Sequence, residues 1–298
     1  MAEPERRDDC GRVSARRYAG QRGVLATMHG KERAIAPALR DRLGLMVDLA
    51  PGLDTDSLGT FTGEIPRSGS IREAAIAKAR LGMIRTRLPI GIASEGSYGP
   101  HPWVPFIAGG IELMVLIDDT RDIIITERQV EDSPVYAHAE AASADDLGTY
   151  LERLPFPLHA LIVRPNKPKT PPFPMHKGLR CQQALADAVV ECAAGSADGL
   201  AFVQTDMRAH MNPTRMAAIA RLAYKLCARM ATPCPVCNQP GYGLIDIETG
   251  LPCGWCGAPS MLVRHEIFGC VACAHREQRP RPDGRHHADP GDCPHCNP

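Results

Sequence analysis

Four Cys-x-x-Cys pairs follow one another at the carboxyl end of the chain: Cys234 with Cys237, Cys253 with Cys256, Cys270 with Cys273, and Cys293 with Cys296. A tight turn bearing two thiolates grips one ion, and two such turns complete the four-sulfur tetrahedral shell that zinc accepts. Eight cysteines therefore predict two structural zinc ions, because a closed thiolate shell leaves no coordination position for substrate. Fifteen residues separate the first pair from the second, and nineteen the third from the fourth. Sequential pairing, with each ion clamping one β-hairpin as in zinc ribbons, is the simplest expectation. Crossed pairing, first with third and second with fourth, is left open. A disulfide framework is the competing reading, but no secretory leader opens the chain and the regular spacing favours metal.

With 298 residues the chain can hold one large core beside this small metal-stapled module. The expected organisation is a disordered leader over 1–20, an α/β domain over 21–231 and a double zinc-ribbon module over 232–298. Lysine plus arginine, 34, equals aspartate plus glutamate, 34, so no global field draws the protein to nucleic acid or to an anionic membrane. From 232 to 298 seven carboxylates face five arginines, the opposite of a nucleic-acid footprint. No apolar run reaches the roughly 20 residues that span a bilayer. A cytoplasmic protein is expected, in which Cys10, Cys181, Cys192 and Cys227 act as small hydrophobes.

Gly23 to Thr27 has the pattern of a short buried strand, followed by a helix expected to start near Pro37 and a strand over Leu45 to Leu49. Asp54 to Arg67 has no period and many turn formers, which predicts a functional or mobile loop. Ser70-Ile-Arg-Glu73 is a capping box opening a helix over Ile71 to about Met83. A strand over Pro89 to Ser94 comes next, then a hairpin of Ile111–Ile117 with Arg121–Glu127. Further strands are expected at Leu158–Arg164 and Gly199–Gln204, with helices over 179–193 and after Asn212-Pro213. The alternation predicts an α/β fold: a mixed, mostly parallel sheet with helices on both faces.

Ligands of such sheets collect beyond the carboxyl ends of the strands. Three post-strand segments carry the chemistry: Thr27-Met-His-Gly-Lys31, Ser94 to Pro102, and Thr205 to Arg215. If their strands are parallel, Glu95 and Asp206, the cations Lys31, Arg208 and Arg215, and His29, His101 and His210 share one crevice. That mixture suits a phosphorylated small molecule, with magnesium held by carboxylates and phosphate held by cations and helix N–H groups. In this reading Glu95, Asp206 and His210 are catalytic, while Thr27, His29, Lys31, Lys78, Arg208 and Arg215 bind substrate. Asp54 and Asp56 are weaker candidates. Each residue also has a plain role as a turn cap, a packed loop side chain or a surface charge.

The segments ATMHGKE, DTDSLGTFTGEIPR, ASEGSYGPHP, TDMRAHMNPTR and the terminal CPHCNP resemble a bacterial family defined by a domain of unknown function, over about residues 18–298. Residues 23–127 are distantly similar to the inosine triphosphate pyrophosphatase superfamily. Its Ser/Thr-x-Asn-x-x-Lys turn resembles Thr27-Met-His-Gly-Lys31, which is one residue shorter and has histidine for asparagine. Its Glu-Asn-Ala-x-x-Lys-Ala helix resembles Glu73 to Ala79, which lacks the asparagine. Its acidic-Gly position resembles Glu95-Gly96. The resemblance implies Lys31 and Lys78 for a triphosphate and Glu95 for magnesium. The expected function is therefore metal-dependent hydrolysis of a phosphoanhydride in a nucleotide-like substrate. The alternative is an adaptor that binds a protein partner through its zinc ribbons and has a non-catalytic α/β domain.

Overall fold

A computed structural model describes residues 16–53, 69–101, 104 and 106–298. Residues 1–15 of the expected leader, Pro102, and the 54–68 stretch with Asp54 and Asp56 lie outside them. The first sheet has strand order β2-β1-β3-β4-β5, built from β1 (Arg22–Ala26), β2 (Met46–Leu49), β3 (Ile90–Pro100), β4 (Ala108–Asp118) and β5 (Ile123–Glu131). β1 runs parallel to β2 and β3, and β3, β4 and β5 are antiparallel. Three helices cover it: α1 (Glu32–Leu43), α2 (Ile71–Thr86) and α5 (Pro213–Ala231).

Strand alternation decides which helix sits where. Leu25, Ile90, Ile92, Met114 and Leu116 face α1 and α5, meeting Ile35, Leu39, Ile219, Leu222 and Leu226. Val24, Ala26, Ala93, Leu113, Val115 and Ile117 face α2, meeting Ala75, Ala79 and Met83. Helices thus lie on both faces, but the sheet is largely antiparallel, contrary to expectation. Period-2 apolar runs specify strands without specifying their direction.

The expected strands over Leu158–Arg164 and Gly199–Gln204 belong to a separate second sheet and not to the first. β6 (His138–Ala141), β7 (Leu161–Pro165), β8 (His176–Leu179) and β9 (Ala201–Thr205) are ordered β6-β9-β7-β8, all antiparallel. They bury Leu161, Val163, Ala201 and Val203 against α4 (Gln182–Ala194) in a core of their own, beside the short α3 (Gly148–Glu152). This unit is inserted between β5 and α5.

The capping box is present: Glu73 N–H donates to Ser70 Oγ at 3.2 Å and Ser70 N–H to Glu73 Oε2 at 2.8 Å. α1 starts at Glu32, and Pro37 lies inside it. Burial of Ile35, Ala38, Leu39 and Leu43 on one face offsets the backbone bond that proline removes. The stretch Ser94 to Pro100, expected as a turn, continues β3 and pairs with β4 as far as Ala108.

The carboxyl-terminal module is a third, antiparallel sheet of β10 (Gly243–Thr249), β11 (Val263–Gly269) and β12 (Arg276–Pro280). It is fastened to the first sheet by Arg229, near the end of α5. That guanidinium donates to the carbonyls of Gly241 (3.1 Å), Thr126 (2.9 Å) and Leu244 (3.1 Å) and to Glu127 Oε1 (3.0 Å). Gly241, at φ 95°, leaves no room for a Cβ, which would meet Ile125 at 2.8 Å and Val271 at 2.9 Å. Arg229→Ala should cost about 3 kcal/mol in urea unfolding, because three carbonyls lose this donor and the buried Glu127 keeps only the half-exposed Lys225, 3.2 Å away. Arg22→Ala, which loses the exposed pair with Asp48, should cost under about 1 kcal/mol in the same measurement.

Candidate functional site: a buried charge cluster and two thiolate clusters

β1 leads through α1 on one face to β2, and β2 leads through α2 on the other face back to β3. The order β2-β1-β3 therefore reverses between β1 and β3, where open α/β sheets bind ligands at the strands' carboxyl ends. β3 pairs with β1 only through Gly91, Ile92 and Ala93, so Ser94 and Glu95 lie just past the end of β1. Charged side chains converge there from both faces.

On the α1 side, Lys31, 7 % exposed, donates to Ser94 O at 2.9 Å and to Ser94 Oγ at 3.0 Å. Among the described residues it has no carboxylate within ion-pair reach. Burial, and next the Arg215 charge, lower its pKa to about 8, with Glu112 and Glu95 acting the other way. On the α2 side, Lys78 pairs with Glu95 at 2.6 Å, and both are buried. On the α5 side, Arg215 Nε donates to Glu112 Oε1 at 2.6 Å, Tyr98 OH donates to the same oxygen at 2.6 Å, and Arg215 Nη1 donates to Met207 O. Burial and then Glu112 push the Tyr98 hydroxyl well above its usual range, so it stays a donor. Gly96 has to be glycine here, since a Cβ would stand 2.6 Å from Glu112 Oε1 and 2.7 Å from Arg215 Nη2.

Lys31, Lys78, Glu95 and Arg215 are thus brought together. The loop 206–212 arrives by a different route from the one expected, because β9 belongs to the second sheet and α5 carries the chain back. His210 stacks on His29 with ring centroids 5.3 Å apart, and Thr27 lies half-buried in the same turn. Asp206 is held by Arg208, which donates to both its oxygens, at 3.0 Å and 2.6 Å. His101 is buried against Asp132 at 3.0 Å, off the crevice. Glu112 and Tyr98 are missing from the sequence reading. A lone glutamate inside the apolar run Ile111 to Ile117 was the available signal, since such a charge is buried only when paired. A small cleft of about 10 Å³, room for roughly one water molecule, opens beside Tyr98 and Arg215, lined also by Glu131, Met207 and Asn212.

The cysteines form two clusters positioned to hold metal ions: Cys234, Cys237, Cys270 and Cys273, and Cys253, Cys256, Cys293 and Cys296. Within each, the four sulfurs lie within 4.8 Å of one another. The closest pairs are 3.8 and 3.5 Å in the first cluster and 3.9 and 3.6 Å in the second. These match the ~3.8 Å edge of a tetrahedron with metal–sulfur bonds of about 2.3 Å, and far exceed a disulfide bond. The pairing is crossed. β10 lies between the first and second knuckles, and its seven residues span about 24 Å, so those knuckles end on opposite ends of the sheet. The antiparallel register Gly243↔Gly269 returns the third knuckle to the first. The expected one-hairpin ribbons therefore give way to one sheet clamped at both ends. A repeat inside the tail went unread: Pro-Cys-x-x-Cys-x-x-Pro at 233–240 and 252–259, each closed by a bridge between its prolines. Amide N–H groups of Cys256 and Trp255 hold the Cys253 thiol down at about 7, favouring the thiolate that binds metal. Among the described residues, no further group of three or more His, Cys, Asp or Glu side chains converges in this way.

An α/β domain with a buried charge cluster, joined to a sheet with a thiolate cluster at either end, defines the class. The chain belongs to the family described as Domain of unknown function (DUF6671), which it matches over residues 78–298. No curated protein matches it. No helix among the described residues is long and apolar enough to cross a membrane.

Elemental analysis of protein purified without added metal should give two ions per chain. The double variant Cys234→Ser/Cys270→Ser should retain one ion, because both changes hit one cluster, whereas Cys234→Ser/Cys253→Ser should retain none. The reverse pattern would restore sequential pairing.

Proposed function

We propose that the crevice beyond β1 and β3 binds the phosphate chain of a nucleotide-like small molecule and hydrolyses one of its phosphoanhydride bonds. The observation that carries this reading is Lys31: a buried ammonium with two neutral oxygens and no carboxylate partner among the described residues. Buried charge is costly unless paired, and an incoming phosphate supplies the missing anion.

Lys78 and Arg215, already held by Glu95 and Glu112, add positive potential without adding mobility, which suits charge that builds on a departing phosphate. The donor set present does not make a protein-only magnesium cage. Glu95, paired with Lys78, is the carboxylate that would hold an ion arriving on the phosphates, and such an ion would supply a water of lowered pKa. Water adds to phosphorus, the anhydride P–O bond breaks with its electron pair leaving on the departing phosphate, and the water's proton goes to a base. Burial, and next Arg208, lower the His210 pKa, so its imidazole is neutral at pH 7 and able to take that proton. We assign zinc to both clusters in a structural role, on their sulfur-only donor sets. Thiolate clusters survive in reducing compartments, which supports a cytoplasmic location.

The adaptor reading has an observation of its own. Trp255, between two ligand cysteines, is 81 % exposed, with Met261 and Val236 also exposed on the module. Under it, Trp255→Ala abolishes partner binding while phosphate binding persists.

Lys31→Met tests the hydrolase reading. It should abolish binding of pyrophosphate in titration calorimetry while Tm at pH 7 stays at or above wild type, since the buried charge is removed. Intact binding with a much lower Tm would make Lys31 structural. Because its folded pKa lies below the ordinary 10.5, Lys31 costs stability below pH about 8, and that cost fades as pH rises toward 10.5. Anion affinity should run the opposite way and fall as pH rises through about 8. Glu95→Gln should remove turnover, and it should also lower Tm, because Lys78 is left unpaired.

A further inference from the structure

Strand register sorts the charges of the crevice by face. Ile92 belongs to the core beneath α1 and α5, and Ala93 to the core beneath α2. Side chains alternate along a strand, so positions 94 and 96 share the α1 and α5 face and Glu95 takes the other. The partner strand agrees: Leu113, opposite Glu95, lies in the α2 core, and Glu112, opposite Gly96, reaches Arg215 of α5. Lys78 and Glu95 therefore pair on the α2 face. Lys31, bonded to Ser94 Oγ, and Glu112 stand together on the other face, anchored two residues apart, about 7 Å of strand.

Each of these two has one bonding position left over. Glu112 is fully buried, and its Oε1 takes both donors, Arg215 Nε and Tyr98 OH. Its Oε2 is buried too and has no hydrogen-bond partner among the described residues. A carboxylate oxygen out of water needs a donor, and residue 96, which faces this carboxylate, has no side chain to offer one. An ammonium carries three hydrogens, and Lys31 uses two of them on Ser94. An ionised phosphate brings acceptors, so it completes Lys31 and leaves Glu112 Oε2 unmet. That oxygen calls for a second species with a hydrogen to give, held beside the phosphate.

We propose that Glu112 Oε2 holds the attacking water of this crevice. The assignment rests on the phosphate reading of Lys31 and adds the position of the nucleophile to it. The water gives one hydrogen bond to Oε2, which turns a lone pair of its oxygen toward the phosphorus held at Lys31. That oxygen bonds to phosphorus, the anhydride P–O bond breaks with its electron pair leaving on the departing phosphate, and one proton passes to the base. Arg215 and Tyr98 fix Glu112 through its other oxygen, so the acceptor that aims the water is itself held in place.

The test is a crystal structure of the full chain, with its metals in place, bound to methylenediphosphonate, a pyrophosphate analogue that water cannot cleave. A water within hydrogen-bond distance of Glu112 Oε2 and about 3–3.5 Å from phosphorus is the expected result. A protein donor, a metal ion or the ligand itself on Oε2, or no water there, overturns the assignment, while phosphonate at Lys31 still upholds the phosphate reading. A ligand bound away from Lys31, or none bound, overturns both. In solution, Glu112→Gln keeps an acceptor for Arg215 and Tyr98 and puts an NH2 donor where Oε2 was. Its kcat for pyrophosphate or nucleoside triphosphate should fall at least about hundredfold, with KM within about threefold of wild type. The variant leaves Arg215 without its counter-charge and lowers Tm, so the assay runs at a temperature where melts show both proteins folded. A kcat within about twofold of wild type overturns the assignment, and the structure decides alone should the variant fail to fold.

Discussion

The Arg215 guanidinium is buried to 2 % exposure, and the rest of the molecule is arranged around that burial. A charge with so little water needs an opposite charge and hydrogen-bond acceptors, or it costs several kcal/mol. Glu112 from β4 supplies the charge, Met207 supplies a carbonyl, and Tyr98 completes the shared carboxylate oxygen. Gly96 leaves the space. Once these are in place, the amino end of α5 is pinned to the sheet and the loop before it is set against the turn after β1. His29 stacks on His210 at the same end of the helix.

The other end of the same helix performs a different task. α5 has 19 residues, about 28 Å, and Arg229 near its end grips the first knuckle and β10. One rigid element therefore connects the charge cluster with the first thiolate cluster. Each sulfur cluster offers four thiolates, which on binding a metal ion would close its coordination shell and hold the small sheet together. A module with few buried apolar side chains needs such staples.

Much of this was written locally in the chain and could be read there. The capping box at Ser70, the Asn212-Pro213 cap, the β4–β5 hairpin and the four knuckles are all short-range signals, and each names its own geometry. Lys31, Lys78 and Glu95 were legible as candidates because they follow strands or match a motif. What escaped the sequence depends on pairing at a distance. Glu112 and Arg215 are 103 positions apart and nothing local joins them. Strand direction in the second sheet and the crossed knuckles are likewise settled by register, which alternating apolar residues do not encode. Ser94 to Pro100 was misread for a related reason: Gly96, Gly99 and Pro100 look like turn formers, yet here glycine admits neighbouring side chains and proline ends a strand.

On the phosphate reading, the Lys31 ammonium is held buried, with no carboxylate in ion-pair reach among the described residues, until a phosphate completes it. The most direct measurement is the ionisation of that one nitrogen, followed by NMR of isotopically labelled lysine with and without pyrophosphate. A pKa of about 8 is expected in the free protein, rising toward or beyond the ordinary lysine value when the ligand binds. A Lys31 that titrates at the same pH with and without pyrophosphate would contradict it.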